Sequence, residues 1–352
     1  MQTITVTDLE SGRDVPVAVH DAGSAQFAAR LKKVAKERRK WAKKNDIGCY
    51  RIYDADLPDF CVAIDRYDGV WKSEGESFVC IAEYQAPASI DPKKVQARLD
   101  DIVAITPIVL GIPAKHVFTK TRRREKGGGQ YVDQQKKSFV AYTQETGNIV
   151  QIDLGSYLDT GIFLDHRVTR EMVGHMAEGK NFLNLFSYTG TCTVHAAVNG
   201  ARTTTTVDLS QTYLNWARKN MELNGCTGDQ HRFVRADVLQ WMVREVEESN
   251  HRYDLIFVDP PTFSNSKAMG KDTWSVQRDH VRLLTYVSRL LAPGGEAVFS
   301  CNLRDFKLDI RALDKLGIIA QDITAQTIPH DFERNPKIHK CYIITNKEFK
   351  RA

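Results

Sequence analysis

"NFLNLFSYTGTCTVHAA", residues 181–197, decides the fold. It starts as a short apolar run, "FLNLF" (182–186), and passes through Ser187, Tyr188, Thr189 and Gly190. It then continues with helical spacing over 191–199. A buried strand that feeds a tight turn and a helix opens a parallel, doubly wound sheet. A pyrophosphate-binding turn needs G-x-G-x-x-G, so that backbone can approach the phosphates, and only Gly190 is present. The turn suits a ligand without phosphates.

Downstream the same rhythm repeats. Strands are expected at 203–208, 231–237, 253–259, 295–302, 318–325 and 341–346, with helices at 167–178, 210–224, 237–248, 275–291 and 306–316. The ligand of such a sheet sits at the carboxyl ends of its strands, and three of those ends carry an acid. Asp208 lies eighteen residues after Gly190, where an acid commonly accepts from ribose hydroxyls. Asp237 is placed to meet an amino group of a base, and Asp259 precedes Pro260 and Pro261. An Asp at a strand end also serves as a helix cap, and that reading stands beside the ligand reading for each. "LLAPGGEAVFS" (290–300) adds a Pro-Gly-Gly turn into the fifth strand.

The segment before residue 165 reads differently. Residues 1–22 read as an irregular leader, and 24–44 as a helix with Phe27, Leu31, Val34 and Trp41 on its apolar side. Strands at 49–55, 61–67, 78–86, 116–121, 138–144 and 148–154 surround a helix over 91–111 with Asp91 as its cap and Gly111 as its stop. The expected organisation is a leader and basic helix (1–45), a small α+β module (46–158) and a Rossmann-like domain (159–352).

Bulk composition narrows the class. The chain has 352 residues, 42% hydrophobic and 26% charged, with no apolar run long enough to span a membrane and no signal-peptide pattern. Seven scattered cysteines without a C-x-x-C pair suit reduced thiols, and a cytoplasmic location is expected. Net charge is only +5, yet "RLKKVAKERRKWAKK" (30–44) carries nine Lys or Arg against one Glu. "KTRRREKGGGQ" (120–130) is a second basic run. Each is read either as a solvated face or as a surface for phosphate-rich nucleic acid; two such runs beside a catalytic domain favour the latter. Candidate RNA contacts there are Lys36, Arg38, Arg39, Arg122, Arg123 and Arg124.

Taken in order, the strand-end acids and the turn at 186–190 form the pattern of class I S-adenosylmethionine-dependent methyltransferases. Longer segments are more specific: "YRIYDADLPDFCVAIDRY", "YLDTGIFLDHR", "NFLNLFSYTGTCTVHAA", "TTTVDLSQTYLNWARKNMELNG", "LIFVDPPTFSNSKAM" and "VQRDH". In these the chain closely resembles the RlmK-type half of the bifunctional 23S rRNA methyltransferases, over about residues 24–346. The resemblance implies a seven-stranded sheet with an antiparallel last strand and S-adenosylmethionine as cofactor. It also implies transfer of the methyl to N7 of a guanine in 23S rRNA, free or in a large-subunit assembly intermediate. The other half of those enzymes, a THUMP-bearing domain that makes N2-methylguanine, has no counterpart here, and would be a separate or fused partner.

Mapped onto this chain, the cofactor contacts are Asp165, Arg167, Phe186, Ser187, Tyr188, Thr189, Gly190, Asp208, Leu209, Ser210, Asp237, Val238 and Asp259. Asp165 and Arg167 are matched to the amino and carboxylate groups of the cofactor's methionine end, with Asp165 alternatively a helix cap. Catalysis falls to Asp259, Pro260, Pro261 and Phe263, with Asn265, Lys267, Phe332 and Arg334 as further RNA contacts and His339 at the substrate mouth. Phe263 is either a stacking surface or a ring tucked under its own loop. His166 and His195 lack metal-ligand spacing and are read as packing or orienting groups; no metal is expected.

Guanine N7 carries an in-plane lone pair and no proton, so it needs positioning rather than a general base. Duplex RNA hides it in a deep groove, so the base must be exposed or flipped. The rival is cytosine C5, which requires a Cys thiolate to attack C6. Related stand-alone rRNA cytosine-C5 methyltransferases share the T-G-x-F-L-D-x-R and D-P-P segments and carry a Cys where "VFSCN" places Cys301; the RlmK type has an Asn there. Cys301 is read as that nucleophile or as a small core residue. A non-catalytic ribosome-assembly factor and an NAD-dependent reductase are further alternatives, disfavoured by the intact acids and the missing glycines. Enzymes acting on exocyclic amines often have an aromatic directly after the two prolines, and here Thr262 stands there.

Overall fold

The structure, a computed structural model, describes residues 1–84, 90–121, 137–157, 159–264 and 273–347. It divides into two compact units between Thr160 and Gly161, residues 127–129 aside.

In the first unit the segment read as an irregular leader is a β-hairpin, β1 (Gln2–Thr7) against β2 (Asp14–Val19). The alternation of Ile4 and Val6 with threonines is a strand signal, and Val6, Val17 and Val19 bury their side chains in the core. Helix α1 (Ser24–Lys44) sends Phe27, Leu31 and Val34 into the same core. Strands β3 (Cys49–Asp54), β4 (Val62–Asp68), β5 (Ser77–Glu83) and β6 (Val117–Thr121) form one sheet in that order. The β5–β6 pair is parallel because helix α2 (Pro92–Leu110) provides the crossover between them. Asp91 caps α2 by accepting from the Lys93 N–H, and Gly111 ends it in the left-handed region. A second hairpin, β7 (Val140–Glu145) and β8 (Asn148–Asp153), closes the unit.

The second unit is the doubly wound sheet. Its elements are α3 (Arg167–Met176), β9 (Asn181–Leu185), α4 (Thr191–Val198), β10 (Thr203–Asp208), α5 (Gln211–Leu223), β11 (His231–Arg235), α6 (Val238–Glu248) and β12 (Tyr253–Val258). Then come the two-residue strands β13 (Phe263–Ser264) and β14 (Trp274–Ser275), α7 (Val276–Leu290), β15 (Leu291–Cys301), α8 (Ile310–Lys315), β16 (Ile318–Asp322), α9 (Thr324–Thr327) and β17 (Lys340–Asn346). Strand order is β11-β10-β9-β12-β15-β17-β16, all parallel except β17, which runs antiparallel to both its neighbours. The expected antiparallel last strand is present.

Both faces of this sheet are covered, so its central strands are apolar on both sides. Leu183, Leu185, Ile256, Val258, Ala297 and Phe299 pack on one face; Phe182, Leu255, Phe257 and Val298 pack on the other. Three expectations change in detail. The strand expected at 318–325 turns into α9 after Asp322, whose carboxylate accepts from the Thr324 N–H. The helix expected over 306–316 is only six residues long, started by the Asp309 cap. The β13–β14 pair is additional to the expected strands, since two-residue strands carry no periodicity.

Candidate active site

Leu185 pairs with Val258, so the chain leaves the sheet side by side at Phe186 and Asp259. On one side of this pair the strand order runs back through β10 and β11; on the other it runs forward to β15. This is the switch point where open α/β sheets bind ligands.

The turn 186–190 is held in a demanding conformation. Phe186, Tyr188 and Gly190 all have left-handed backbone, with φ 56°, 52° and 70°. For Phe and Tyr that costs strain, which persists only where neighbours enforce it. The enforcing contacts are the Ser187 N–H donating to the Val207 carbonyl and the Thr189 hydroxyl donating to the Gly161 carbonyl. In addition the Asn220 amide donates to the Thr189 carbonyl. A Cβ at Gly190 would sit 2.6 Å from the Ala217 Cβ, so only Gly fits against α5.

Asp208 takes part in this turn. Its Oδ2 accepts from the Tyr188 N–H at 2.9 Å and its Oδ1 from the Ser210 N–H at 2.8 Å. Burial pushes its carboxyl above the usual range, partly offset by those backbone donors. A carboxylate has about four lone-pair positions, so both oxygens retain acceptor capacity for ribose hydroxyls. Ser187 Oγ is buried and takes no partner among the described residues, which leaves a polar group for a ligand to satisfy. The turn therefore fits a nucleoside-type ligand, and S-adenosylmethionine matches it.

Around it, Ser210 caps α5 and Leu209 is half-buried. Asp237 caps α6 by accepting from the Gln240 N–H at 3.0 Å, so the capping reading is realised there. Val238 is buried behind it.

Beside Asp259 lies a buried polar cluster that sequence spacing does not reveal. His166 Nε2 is 2.7 Å from Ser300 Oγ and 3.8 Å from Asp259 Oδ2. Its Nδ1 lies 3.2 Å from Asp165 Oδ2, without the alignment of a hydrogen bond. His339 comes from 174 positions away to bond the same Asp165 oxygen at 3.0 Å, and its ring stacks on His166 at 4.7 Å. Burial works against the Asp165 carboxylate, but His166 and His339 outweigh it and hold its carboxyl well below the usual range. For Asp259, burial dominates and raises the carboxyl, opposed by His166. For His166, burial is overcome by Asp165 and Asp259, and the imidazole is raised. Asp165, His166 and His339 also offer three potential metal-ligand atoms within 4.8 Å of one another.

Three expected contacts are placed differently. Arg167 forks onto Asp331 at 2.8 and 3.0 Å in a fully buried pair, a tether to the loop before β17. Phe332 is buried rather than exposed to RNA, because the same tether draws its segment inward. His339 is buried in the polar cluster, not at a surface mouth. Arg334 is exposed. Pro260 is buried, Pro261 is exposed, and the Pro261 carbonyl accepts from the Trp274 indole N–H at 2.7 Å. Phe263 is 63% exposed, which excludes the tucked-under reading. Cys301 is wholly buried, and burial pushes its thiol up to about 12. The neighbouring Asn302 accepts from the Thr262 hydroxyl at 2.7 Å. His195 is buried in α4.

On α1, Lys33, Lys36, Lys40 and Lys43 are exposed and share one side of the helix at three- and four-residue spacing. Arg39 is paired with Glu10, and Arg38 is half-buried. Arg122, Arg123, Arg124, Asn265 and Lys267 lie outside the described residues. All seven cysteines are free thiols, and among the described residues no helix is long and apolar enough to cross a membrane.

A family model described as S-adenosylmethionine-dependent methyltransferase matches residues 76–313. The chain is 50% identical over 341 residues to "Ribosomal RNA large subunit methyltransferase K/L" of Vibrio campbellii, covering 97% of this chain and 46% of that protein. It is 52% identical over 322 residues to the protein of the same name from Vibrio parahaemolyticus, covering 92% and 44%. The chain thus spans about half the length of these relatives. Among solved structures, a SAM-dependent methyltransferase from Streptococcus mutans superposes with TM-score 0.69 at 23% identity, covering 96% of this chain and 86% of that one. SMU.776, a methyltransferase complexed with SAH, gives TM-score 0.70 at 24% identity over the same shares. At that identity the likeness concerns the fold.

Proposed function

The chain belongs to the S-adenosylmethionine-dependent methyltransferases, and on that premise we propose that it methylates N7 of a guanine in the 23S rRNA of the large ribosomal subunit. The names of the half-matching relatives, which specify large-subunit rRNA, support the substrate class. The observation that carries the choice of atom is the state of Cys301. A thiol that is wholly buried and raised to about 12 is a poor candidate for attack on cytosine C6. N7 asks for no such nucleophile. An RNA-binding factor without chemistry is the alternative of another class, and the strained turn and its satisfied acids speak against it.

The cofactor supplies an electrophilic methyl on a sulfonium. Asp208 and the turn 186–190 would hold its nucleoside part, with Asp237 and Val238 beside the base and Asp165 toward the other end. Asp259 as carboxylate would accept from the guanine N1–H and amino group, which fixes the plane of the ring and the direction of the N7 lone pair. Pro260 and Pro261 stiffen the chain after Asp259, and the Trp274–Pro261 bond fixes it further. The exposed Phe263 ring would stack on the extruded base or its neighbour. The lysine stripe of α1 and exposed Arg334 would meet phosphates.

The deciding experiment incubates undermodified 23S rRNA with the protein and labelled cofactor and identifies the product nucleoside. 7-Methylguanosine is expected; 5-methylcytidine would overturn the assignment. We further propose a THUMP-bearing guanine-N2 methyltransferase half, fused or separate, as a partner, and its addition should leave the product unchanged.

A further inference from the structure

Thr262 and Asn302 meet across forty positions of sequence, and the base-holding role of Asp259 accounts for neither. Where enzymes acting on exocyclic amines often carry an aromatic, directly after the two prolines, this chain has a hydroxyl. That hydroxyl donates to Asn302 Oδ1 at 2.7 Å. Thr262 is itself fixed by the chain around it. Its carbonyl accepts from the Val276 N–H at 3.1 Å, and the Pro261 carbonyl before it accepts from the Trp274 indole N–H.

Strand register brings Asn302 to the site. Val258 pairs with Phe299, so Asp259 and Ser300 follow side by side. Val258, Phe299 and Cys301 point into the core on one face of the sheet. Side chains alternate along a strand, so Asp259, Ser300 and Asn302 belong to the other face. The Ser300 hydroxyl agrees with this, since it meets His166 Nε2, which stands 3.8 Å from Asp259 Oδ2. Asn302 is the next residue on that side, and unlike Ser300 it is exposed.

A side-chain amide has one acceptor oxygen and two N–H donors. With the oxygen taken by Thr262, the nitrogen is turned away from it. Among the described residues Asn302 Nδ2 has no partner. An exposed amide ordinarily turns freely and offers either end; this one is pinned so that it offers donors. Donors discriminate between purines, because guanine carries the acceptor O6 where adenine carries an amino group. Along the guanine edge O6 lies between N1 and N7. An acceptor such as Asp259 at N1–H and a donor at O6 together leave N7 open to the methyl.

We propose that Asn302 selects guanine by donating from Nδ2 to O6 of the extruded base, and that Thr262 is the positioning residue that sets which end of the amide faces it. The choice of guanine rests on the target proposed above; the pinning of the amide does not.

The test measures single-turnover transfer by the full chain on a 23S rRNA fragment holding the guanine that wild type modifies, synthesised with guanine or 6-thioguanine there. The analogue keeps N1–H, the 2-amino group and N7, and replaces O6 by a poor acceptor. Wild type should favour guanine about 10-fold. Asn302→Ala should lose about 10-fold on guanine and little on the analogue, which abolishes the preference. Asn302→Asp still accepts from Thr262 but has no N–H for O6, so it should lose the preference too; a merely structural Asn302 would tolerate it. Thr262→Val should weaken the preference and Thr262→Ser should restore it. Cofactor affinity and melting temperature should match wild type in all four variants, since neither residue is buried. The preference is a ratio within one variant, so partial loss of folding cancels from it. Wild type that treats the two bases alike, or a wild-type preference retained in Asn302→Ala and Asn302→Asp, overturns the proposal. The product formed by wild type on undermodified 23S rRNA separates the two readings. 5-Methylcytidine there removes the assigned target and the guanine contact with it, whereas 7-methylguanosine with an unchanged preference in the variants removes the Asn302 assignment alone.

Discussion

Arg167 lays both ends of its guanidinium on the Asp331 carboxylate, at 2.8 and 3.0 Å, and neither side chain is open to water. The pair joins the start of α3 to the segment that precedes β17. Removing one partner takes a bidentate, charge-assisted fork away from a buried charge, and breaking a buried pair in this way costs roughly 3–5 kcal/mol. Asp331→Ala should therefore lose about that much stability in urea titration, and Arg167→Met with Asp331→Leu should recover most of it. A loss below about 1 kcal/mol in the single variant would show that water reaches the site.

Asp259→Asn should abolish most methyl transfer while leaving cofactor affinity within about threefold, since the amide keeps the shape and loses the charge-assisted hydrogen bonds. The pH dependence follows from the sign of the shift. A working carboxylate gives full rate above its pKa and loses rate as pH falls through it. Burial raises the Asp259 carboxyl, so the acid limb should lie above the range of an ordinary Asp. Initial rates across pH at saturating cofactor check this.

Cys301→Ala should change turnover by less than about threefold and lower stability by about 1 kcal/mol, through the small cavity it leaves. In the native protein this thiol should resist aromatic disulfide reagents, because burial both shields it and disfavours the thiolate. Loss of all activity in Cys301→Ala would restore the cytosine reading.

Gly190→Ala should weaken cofactor binding by about tenfold or more. The new Cβ would force the turn away from Ala217 and strain a left-handed backbone at φ 70°. Calorimetry with cofactor, set beside a thermal melt, separates lost binding from lost folding.

RNA affinity should fall steeply with salt. Lys36→Ala should make that dependence shallower, by roughly 0.7–0.9 in log–log slope for each phosphate that the lysine neutralises. Arg39→Ala should change it less, because Arg39 already faces Glu10. Filter binding between low and physiological salt distinguishes the two.

Most of the sheet is legible in the sequence because its strands are apolar on both faces and its helices keep a clean 3.6-residue period. The turn at 186–190 and Asp208 are legible too, since one strand end and one spacing define them. What escapes is held by distance. His339 and Asp331 meet Asp165 and Arg167 across more than 160 positions, and no local pattern encodes such a pairing. The first hairpin is hidden for another reason: Pro16 stands inside its second strand and argues against a strand there, although Ile4 and Val6 alternate with threonine in the first. Phe332 misleads because an aromatic in a charged segment looks exposed until its anchoring ion pair is known.

The β13–β14 pair sets a boundary on change. Phe263 pairs with Ser275, the Val276 N–H donates to the Thr262 carbonyl, and Trp274 grips Pro261. The chain thus departs and returns at one clasped point, immediately beyond Asp259. The clasp joins the residues directly after Asp259 to the start of α7, so a displacement of that helix is carried to the acid, and the acid keeps its address only while the helix keeps its own.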